Sequence, residues 1–258
     1  MQQHTATDRW REMQEARGLP PEILEKAPES PWRHDPEAFR APATPFDTPS
    51  RDTALALLEQ PPGPGRELSV LDVGCGGGSA SLAVADHSDL LVGVDHNPGM
   101  LDVFSADCAA RGVAFRAVLG EWPSVSNDAG IADVVLCHHV GYNTPELAPF
   151  VVGLTVAARR GVVMELTERH PMAWLDPLWL RFHDFARDTP ATADDAVAIL
   201  QELGIAPKVT RWERPARLPD DPAWVTKRLC LPLERVDEVA EALSEISPRP
   251  RGVVTLSW

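Results

Sequence analysis

The stretch Val70-Leu71-Asp72-Val73-Gly74-Cys75-Gly76-Gly77-Gly78-Ser79 constrains this chain more than any other. An apolar run from Leu68 to Val73 carries an acid near its end, meets a cluster of glycines, and continues into a small-residue segment, Ser79 to Asp86, of helical character. That order predicts a strand, a tight turn and a helix, the ligand-side corner of an α/β domain. Roughly twenty residues further on, a second apolar strand, Leu90 to Val94, ends at Asp95, where such folds place an acid against a ribose. The two strand ends together predict a nucleoside site.

Two nucleosides compete for that corner. A dinucleotide calls for G-x-G-x-x-G/A. Gly74 and Gly76 fit this pattern, whereas Ser79 departs from it at the third position. Asp72 is expected where the turn approaches the ligand. A carboxylate there repels a diphosphate and attracts a cationic amino-acid tail. Asp72-x-Gly74-x-Gly76-x-Gly78 is similar to the first motif of the class I S-adenosylmethionine-dependent methyltransferases, and the chain resembles that family over about residues 68–166. The resemblance implies a Rossmann-like α/β fold: a doubly wound, mostly parallel seven-stranded sheet with helices on both faces and strand order 3-2-1-4-5-7-6. It also implies S-adenosylmethionine as cofactor and S-adenosylhomocysteine as product. The cofactor site it points to comprises Asp72, Gly74, Cys75, Gly76, Asp95, His96, Met100, Glu121 and Trp122. In it Gly74 and Gly76 let the backbone approach the methionine moiety, and Asp95 holds the ribose hydroxyls. Met100 lies against adenine, with Glu121 at the adenine amino group and Trp122 as its apolar neighbour.

Composition narrows the partners. With 258 residues the chain can bury a large core, as one domain with additions. A net charge of −14 disfavours nucleic acid and anionic membranes. The lysines are Lys26, Lys208 and Lys227, none in a glycine-rich turn, so a Walker phosphate loop is absent. Cys75, Cys108, Cys137 and Cys230 lie far apart and predict free thiols, neither a zinc site nor a redox dithiol. The polar start of the chain and the lack of a long apolar run predict a cytoplasmic protein with no membrane span. A homodimer is left open.

Residues 1–66 hold many of the 25 prolines, so only short helices fit between the breaks, including Pro61-Pro62-Gly63-Pro64. Thr7 or Asp8 is the expected cap of a first helix and Thr48 or Ser50 that of a helix to Glu59. Trp10, Ile23, Leu24, Trp32, Phe39 and Phe46 make the segment too apolar for a free tail; it is expected to be a helical cap over the mouth of the site. Residues 67–258 are then the methyltransferase domain, with a helical insertion over 220–247 between the last two strands. Asp176-Pro177 opens a helix to about Arg187 whose aromatic stripe serves either as core or as a wall for the acceptor.

The chemistry is expected at the end of the fourth strand, Ala132 to Cys137, which runs into His138-His139-Val140-Gly141-Tyr142-Asn143. The resemblance places that strand end against the sulfonium and the methyl acceptor. In-line methyl transfer needs alignment and exclusion of water, and a base where the acceptor carries a proton. His139 is the first choice for that base and His138 the second, with Tyr142 and Asn143 positioning the acceptor. Side-chain alternation along a strand lets only one histidine face the site. The expected activity is methyl transfer to an oxygen or nitrogen of a small molecule, with no metal. A protein or RNA methyltransferase, or a nucleoside-binding or NAD-using relative of the fold, remains as the alternative.

Overall fold

A computed structural model describes residues 4–32, 34–59, 65–187, 191–215 and 221–258. The Pro61–Pro64 break and the first residue of the expected insertion lie outside the described residues. In chain order the elements are helices α1 (Ala6–Ala16), α2 (Pro21–Leu24) and α3 (Pro49–Leu58), strands β1 (Ser69–Val73) and β2 (Leu90–Asp95), α4 (Pro98–Ala110), β3 (Phe115–Leu119), α5 (Ser126–Ala129) and β4 (Ala132–His138). Then come α6 (Leu147–Ala157), β5 (Ala158–Thr167), α7 (Asp176–His183), α8 (Ala193–Glu202), β6 (Lys208–Arg214), α9 (Pro222–Arg228), α10 (Val236–Ser244) and β7 (Arg251–Ser257).

The seven strands form one sheet in the order β3-β2-β1-β4-β5-β7-β6. All neighbours up to β5 pair in parallel, and β7 runs antiparallel between β5 and β6. Alternation along the strands explains the two layers. Leu71, Val73, Val135, Cys137, Val162 and Met164 face a core shared with α1, α6 and α8. Val70, Val134, Leu136 and Val163 face the other, shared with α3 and α4. Both faces of the central strands are covered, so these strands are apolar throughout rather than alternating with polar residues.

The first helix is fixed locally by a capping box in which Thr5, rather than Thr7 or Asp8, receives the Asp8 N–H and Asp8 returns to the Thr5 N–H. Thr48 caps α3 by accepting the Arg51 N–H. Trp10 on α1 is fully buried in the core of the sheet, stacks on Tyr142 at 5.6 Å and donates its indole N–H to Thr144 O at 2.8 Å. The N-terminal segment is thus bound into the same core as the sheet. A third apolar cluster joins Leu19 and Ile23 to α7, α9 and α10 through Leu178, Trp179, Val225, Leu229 and Val239.

Two elements differ from the sequence expectation. The segment after the glycines forms no α-helix: a turn leads into a six-residue 3-10 helix, Leu82–His87. The helix from Asp176 stops at His183, because Asp184 adopts the left-handed conformation (φ 51°) and its N–H closes on Leu180 O. Trp10→Ala should cost about 3–5 kcal/mol in chemical denaturation. Trp10→Phe, which keeps a ring but leaves Thr144 O without its donor, should cost about 1 kcal/mol more than a pure volume change.

Candidate functional site

The loop leaving β1 turns at once over the end of β2. Gly74 and Cys75 both donate their N–H to Val94 O, at 2.8 and 3.0 Å. Gly74 (φ 70°) and Gly76 (φ 52°) are left-handed, a conformation glycine takes without steric cost. A Cβ on Gly74 would run into the Val140 side chain, so the loop leans on the segment that leaves β4. Asp95, at the end of β2, accepts the Gly76 N–H on Oδ2 and the Asn97 N–H on Oδ1, each at 2.9 Å. One carboxylate ties the turn to its neighbouring strand, and each oxygen keeps a lone pair for a further donor such as a ribose hydroxyl.

Asp72 does something other than expected. Its side chain is 1% exposed and lies beneath the turn, where Oδ2 accepts the Ser81 hydroxyl at 2.7 Å and the Ser81 N–H at 3.2 Å. Burial raises its pKa to about 6, and Asp95 nearby adds to this, against the lowering effect of the Ser81 bonds. Its oxygen fastens the far side of the loop instead of meeting the ligand's tail. The consequence for ligand choice is nevertheless the same. A diphosphate is held by free N–H groups at a helix N-terminus. Here no α-helix follows the loop, and a carboxylate already occupies the Ser81 N–H.

The remaining cofactor candidates divide. His96 is exposed, with Nδ1 3.7 Å from Asp95 Oδ1. Met100 is buried on the first turn of α4, and Glu121 is exposed just after β3. Cys75 turns its thiol away from the loop surface: Sγ is buried against Gly93, and burial raises its pKa well above the ordinary value. Trp122 also faces elsewhere than expected. Its indole N–H donates to Phe150 O at 3.2 Å and its ring sits beside Gly153 on α6, so it belongs to the core beneath the helix.

At the next strand end, β4 and β5 pair His138 with Glu165. His138 Nε2 is sealed from solvent with no hydrogen-bond partner among the described residues, and burial lowers its pKa to about 4. His139 stands just past the strand in a left-handed conformation (φ 61°), fixed by its own N–H to Glu165 O at 2.8 Å. Its Nε2 lies 2.9 Å from Glu165 Oε1, which also accepts Arg214 Nη2 from β6 at 2.6 Å. Glu165 is 1% exposed. Burial alone would raise its pKa, but the His139 bond and the charges of His138, His139 and Arg214 together bring it down to about 2. Tyr142 corrects the sequence reading: it is 2% exposed, donates its hydroxyl to Thr167 O at 2.7 Å and is stacked on Trp10. Its hydroxyl is committed to holding the end of β5. Asn143 is exposed on the 3-10 turn Gly141–Asn143.

Two contacts escaped sequence reasoning. Arg214 and Glu165 meet only because β6 and β5 end at the same edge, 49 positions apart in sequence. The strap 36–41 lies on the glycine loop: Arg40 bridges to Gly77, Phe39 sits beside Gly76, and Pro36 rests on Gly99. Arg40 is pinned in turn by Asp107 on α4 and by Glu37. Aromatic content marked this segment as packed, but no local signal named its partner.

Residues 70–155 match the methyltransferase domain family. The match covers a third of the chain and agrees with the strand order and the loop geometry above. The chain carries a methyltransferase domain, consistent with a class I S-adenosylmethionine-dependent methyltransferase. No curated protein sequence matches it. This methyltransferase is similar in fold to the S-adenosylmethionine-dependent methyltransferase of Geobacter sulfurreducens solved with S-adenosyl-L-homocysteine, at 15% identity and a TM-score of 0.52 over 92% of this chain and 97% of that one. Magnesium protoporphyrin IX methyltransferase from Synechocystis, solved with bound S-adenosylhomocysteine, is 18% identical with a TM-score of 0.52, covering 80% of this chain and 81% of that one. The YcgJ protein of Bacillus subtilis reaches a TM-score of 0.56 at 18% identity, over 81% and 96%. Among the described residues no helix is long and apolar enough to cross a membrane.

The buried acid of this methyltransferase gives a pH signature. Asp72 is raised from 3.8 to about 6 in the folded chain, so folding favours its protonated form. Its contribution to stability is therefore intact below pH 3.8 and declines as the pH rises to about 6. Asp72→Asn keeps an acceptor for Ser81 and carries no charge. In urea denaturation at a series of pH values, the variant should gain on wild type between pH 4 and 6 and level off at an advantage on the order of 3 kcal/mol.

Proposed function

We propose that this methyltransferase methylates an oxygen or nitrogen of a small-molecule acceptor, with His139 as the base and Glu165 holding it. The observation that carries the reading is the His139–Glu165–Arg214 cluster at the carboxyl ends of β4, β5 and β6, one residue from Val140, whose side chain abuts Gly74 of the cofactor loop. Ligands of open α/β sheets bind outside the carboxyl ends of the strands, and this is where loop and cluster meet.

The chain's residues suit the cofactor: Gly74 and Gly76 carry no side chain to hold a ligand off, and both oxygens of Asp95 have acceptor capacity left for a ribose diol. When bound, S-adenosylmethionine supplies an activated methyl group for in-line displacement. Glu165, ionised down to about pH 2, accepts from His139 Nε2, so the neutral ring carries its hydrogen there and presents Nδ1 as the proton acceptor. Arg214 shares the same Glu165 oxygen and holds the carboxylate in place. The strap over Gly76 and Gly77 screens the loop from water, which keeps hydrolysis from competing with transfer. The net charge of −14 argues against RNA as the acceptor.

Calorimetry with S-adenosylmethionine, S-adenosylhomocysteine and NAD tests the cofactor half. The two sulfur nucleosides should bind and NAD should not, and binding of NAD alone would overturn the assignment. Asp95→Ala should weaken cofactor binding by about 1.5–3 kcal/mol. A mass-spectrometric screen of metabolite pools with isotope-labelled methyl donor identifies the acceptor. On that acceptor His139→Asn, which tolerates the left-handed backbone, should slow turnover roughly 100-fold or more at near-normal cofactor affinity. Loss of cofactor binding in this variant would mean that His139 has been given the wrong role.

A further inference from the structure

Four side-chain N–H groups at the C-terminal end of α1, on α7 and just after α7 are sealed from solvent without an acceptor among the described residues: Gln14 Nε2, Arg17 Nε, Trp179 Nε1 and Arg187 Nε. They belong to one contact network. Arg17, 3% exposed, sends both terminal nitrogens to Asp176, at 3.2 and 3.5 Å. Arg187 donates to Arg17 O and lies over the Trp179 ring, 5.4 Å from its centroid. Gln14 stands one turn before Arg17 on the same face of α1. Among the described residues two guanidiniums face a single carboxylate, so the described cluster holds one positive charge more than it pairs, inside a chain whose net charge is −14.

An unmatched half-buried charge and sealed, unmet donors are costly unless an anion completes them. Among the described residues the neighbouring groups do not supply one. His170 accepts the Met172 N–H on Nδ1 at 3.1 Å, and burial together with Arg17 and Arg187 lowers its pKa to about 3, so it is a neutral ring. The same two arginines and Asp176 are coupled: burial, and Arg17 beside it, bring Arg187 down to about 10 despite Asp176.

The position of the network ties it to the reaction edge. His170 follows β5 by three residues and rests against Tyr142, ring centroids 5.6 Å apart, and Tyr142 follows His139 by three. We infer that Arg17 and Arg187, with Trp179 and Gln14, form a binding site for an oxyanion, a carboxylate or phosphate carried by the methyl acceptor. The inference rests on the proposed small-molecule reaction and deepens it by naming an acidic substrate. Arginine suits the task because its planar fork donates in pairs to such oxyanions, and Trp179 supplies an apolar face under the guanidinium.

The test is thermal denaturation and calorimetry of the full chain with sodium phosphate and with sodium benzoate, against sodium chloride at equal ionic strength. At least one oxyanion should stabilise wild type beyond chloride, and the stronger of the two arms identifies phosphate or carboxylate. Arg187→Gln should weaken that binding roughly tenfold or more. Asp176→Asn, which removes the competing carboxylate, should strengthen it, an opposite sign that a purely structural pair would not give. Circular dichroism confirms that both variants are folded. Equal response of Arg187→Gln and wild type, or no response beyond chloride in wild type, overturns the site. S-adenosylmethionine titration of the same samples separates the two readings. Oxyanion binding in a wild type that takes no cofactor supports the site while removing the methyl-transfer reading, and cofactor binding with no oxyanion response does the reverse.

Discussion

The arrangement of this enzyme depends on how the turn after β1 is held. Two carboxylates do it from opposite sides: Asp72 from beneath, through Ser81, and Asp95 from the neighbouring strand, through Gly76. Backbone hydrogen bonds from Gly74 and Cys75 to Val94 O complete the clamp. A turn of left-handed glycines is entropically expensive to order, and only a set of contacts that closes on all sides fixes one conformation. Because Val140 abuts Gly74, the position of this turn also sets how close the segment after β4 comes to the cofactor corner.

That closeness gives meaning to the pair at the ends of β4 and β5. His138 and Glu165 are register partners, yet the side-chain contact to Glu165 belongs to His139, one residue later, whose left-handed backbone swings its ring back to that carboxylate. Strand alternation alone would have separated adjacent histidines onto opposite faces. The departure from strand geometry at the last residue brings the second histidine to the carboxylate and leaves the first with a sealed ring nitrogen.

The parts of the molecule legible in the sequence are those governed by short-range pattern. The glycine motif, the apolar strands, the helix start at Thr48 and the strand end bearing Asp95 all follow from neighbours within a few residues. What was not legible is where side chains point once distant backbone groups offer partners. Trp122 turns toward Phe150 O, Tyr142 toward Thr167 O, and Asp72 toward Ser81, each leaving the ligand face for a buried partner. Nor does pattern reveal that a helix will fail after the glycines. The run Ser79 to Asp86 has helical composition, but the acid beneath the loop captures Ser81, and the chain tightens into a 3-10 helix. The aromatic helix α7 is similarly ambiguous in sequence, and its Leu178 and Trp179 are resolved as core only by α9 and α10, about fifty residues downstream.

The placement of β7 has an evolutionary corollary. Because β7 returns antiparallel between β5 and β6, the chain leaving β6 at Arg214 does so at the edge that carries Glu165 and His139, and the polypeptide up to Arg251 must make its excursion there. That excursion packs with α2 and α7 in a cluster of its own, separate from the two layers that brace the glycine turn. Substitutions within it can reshape the edge that carries Glu165 and His139 without disturbing the packing that braces the glycine turn, so the two parts of the molecule are free to drift independently.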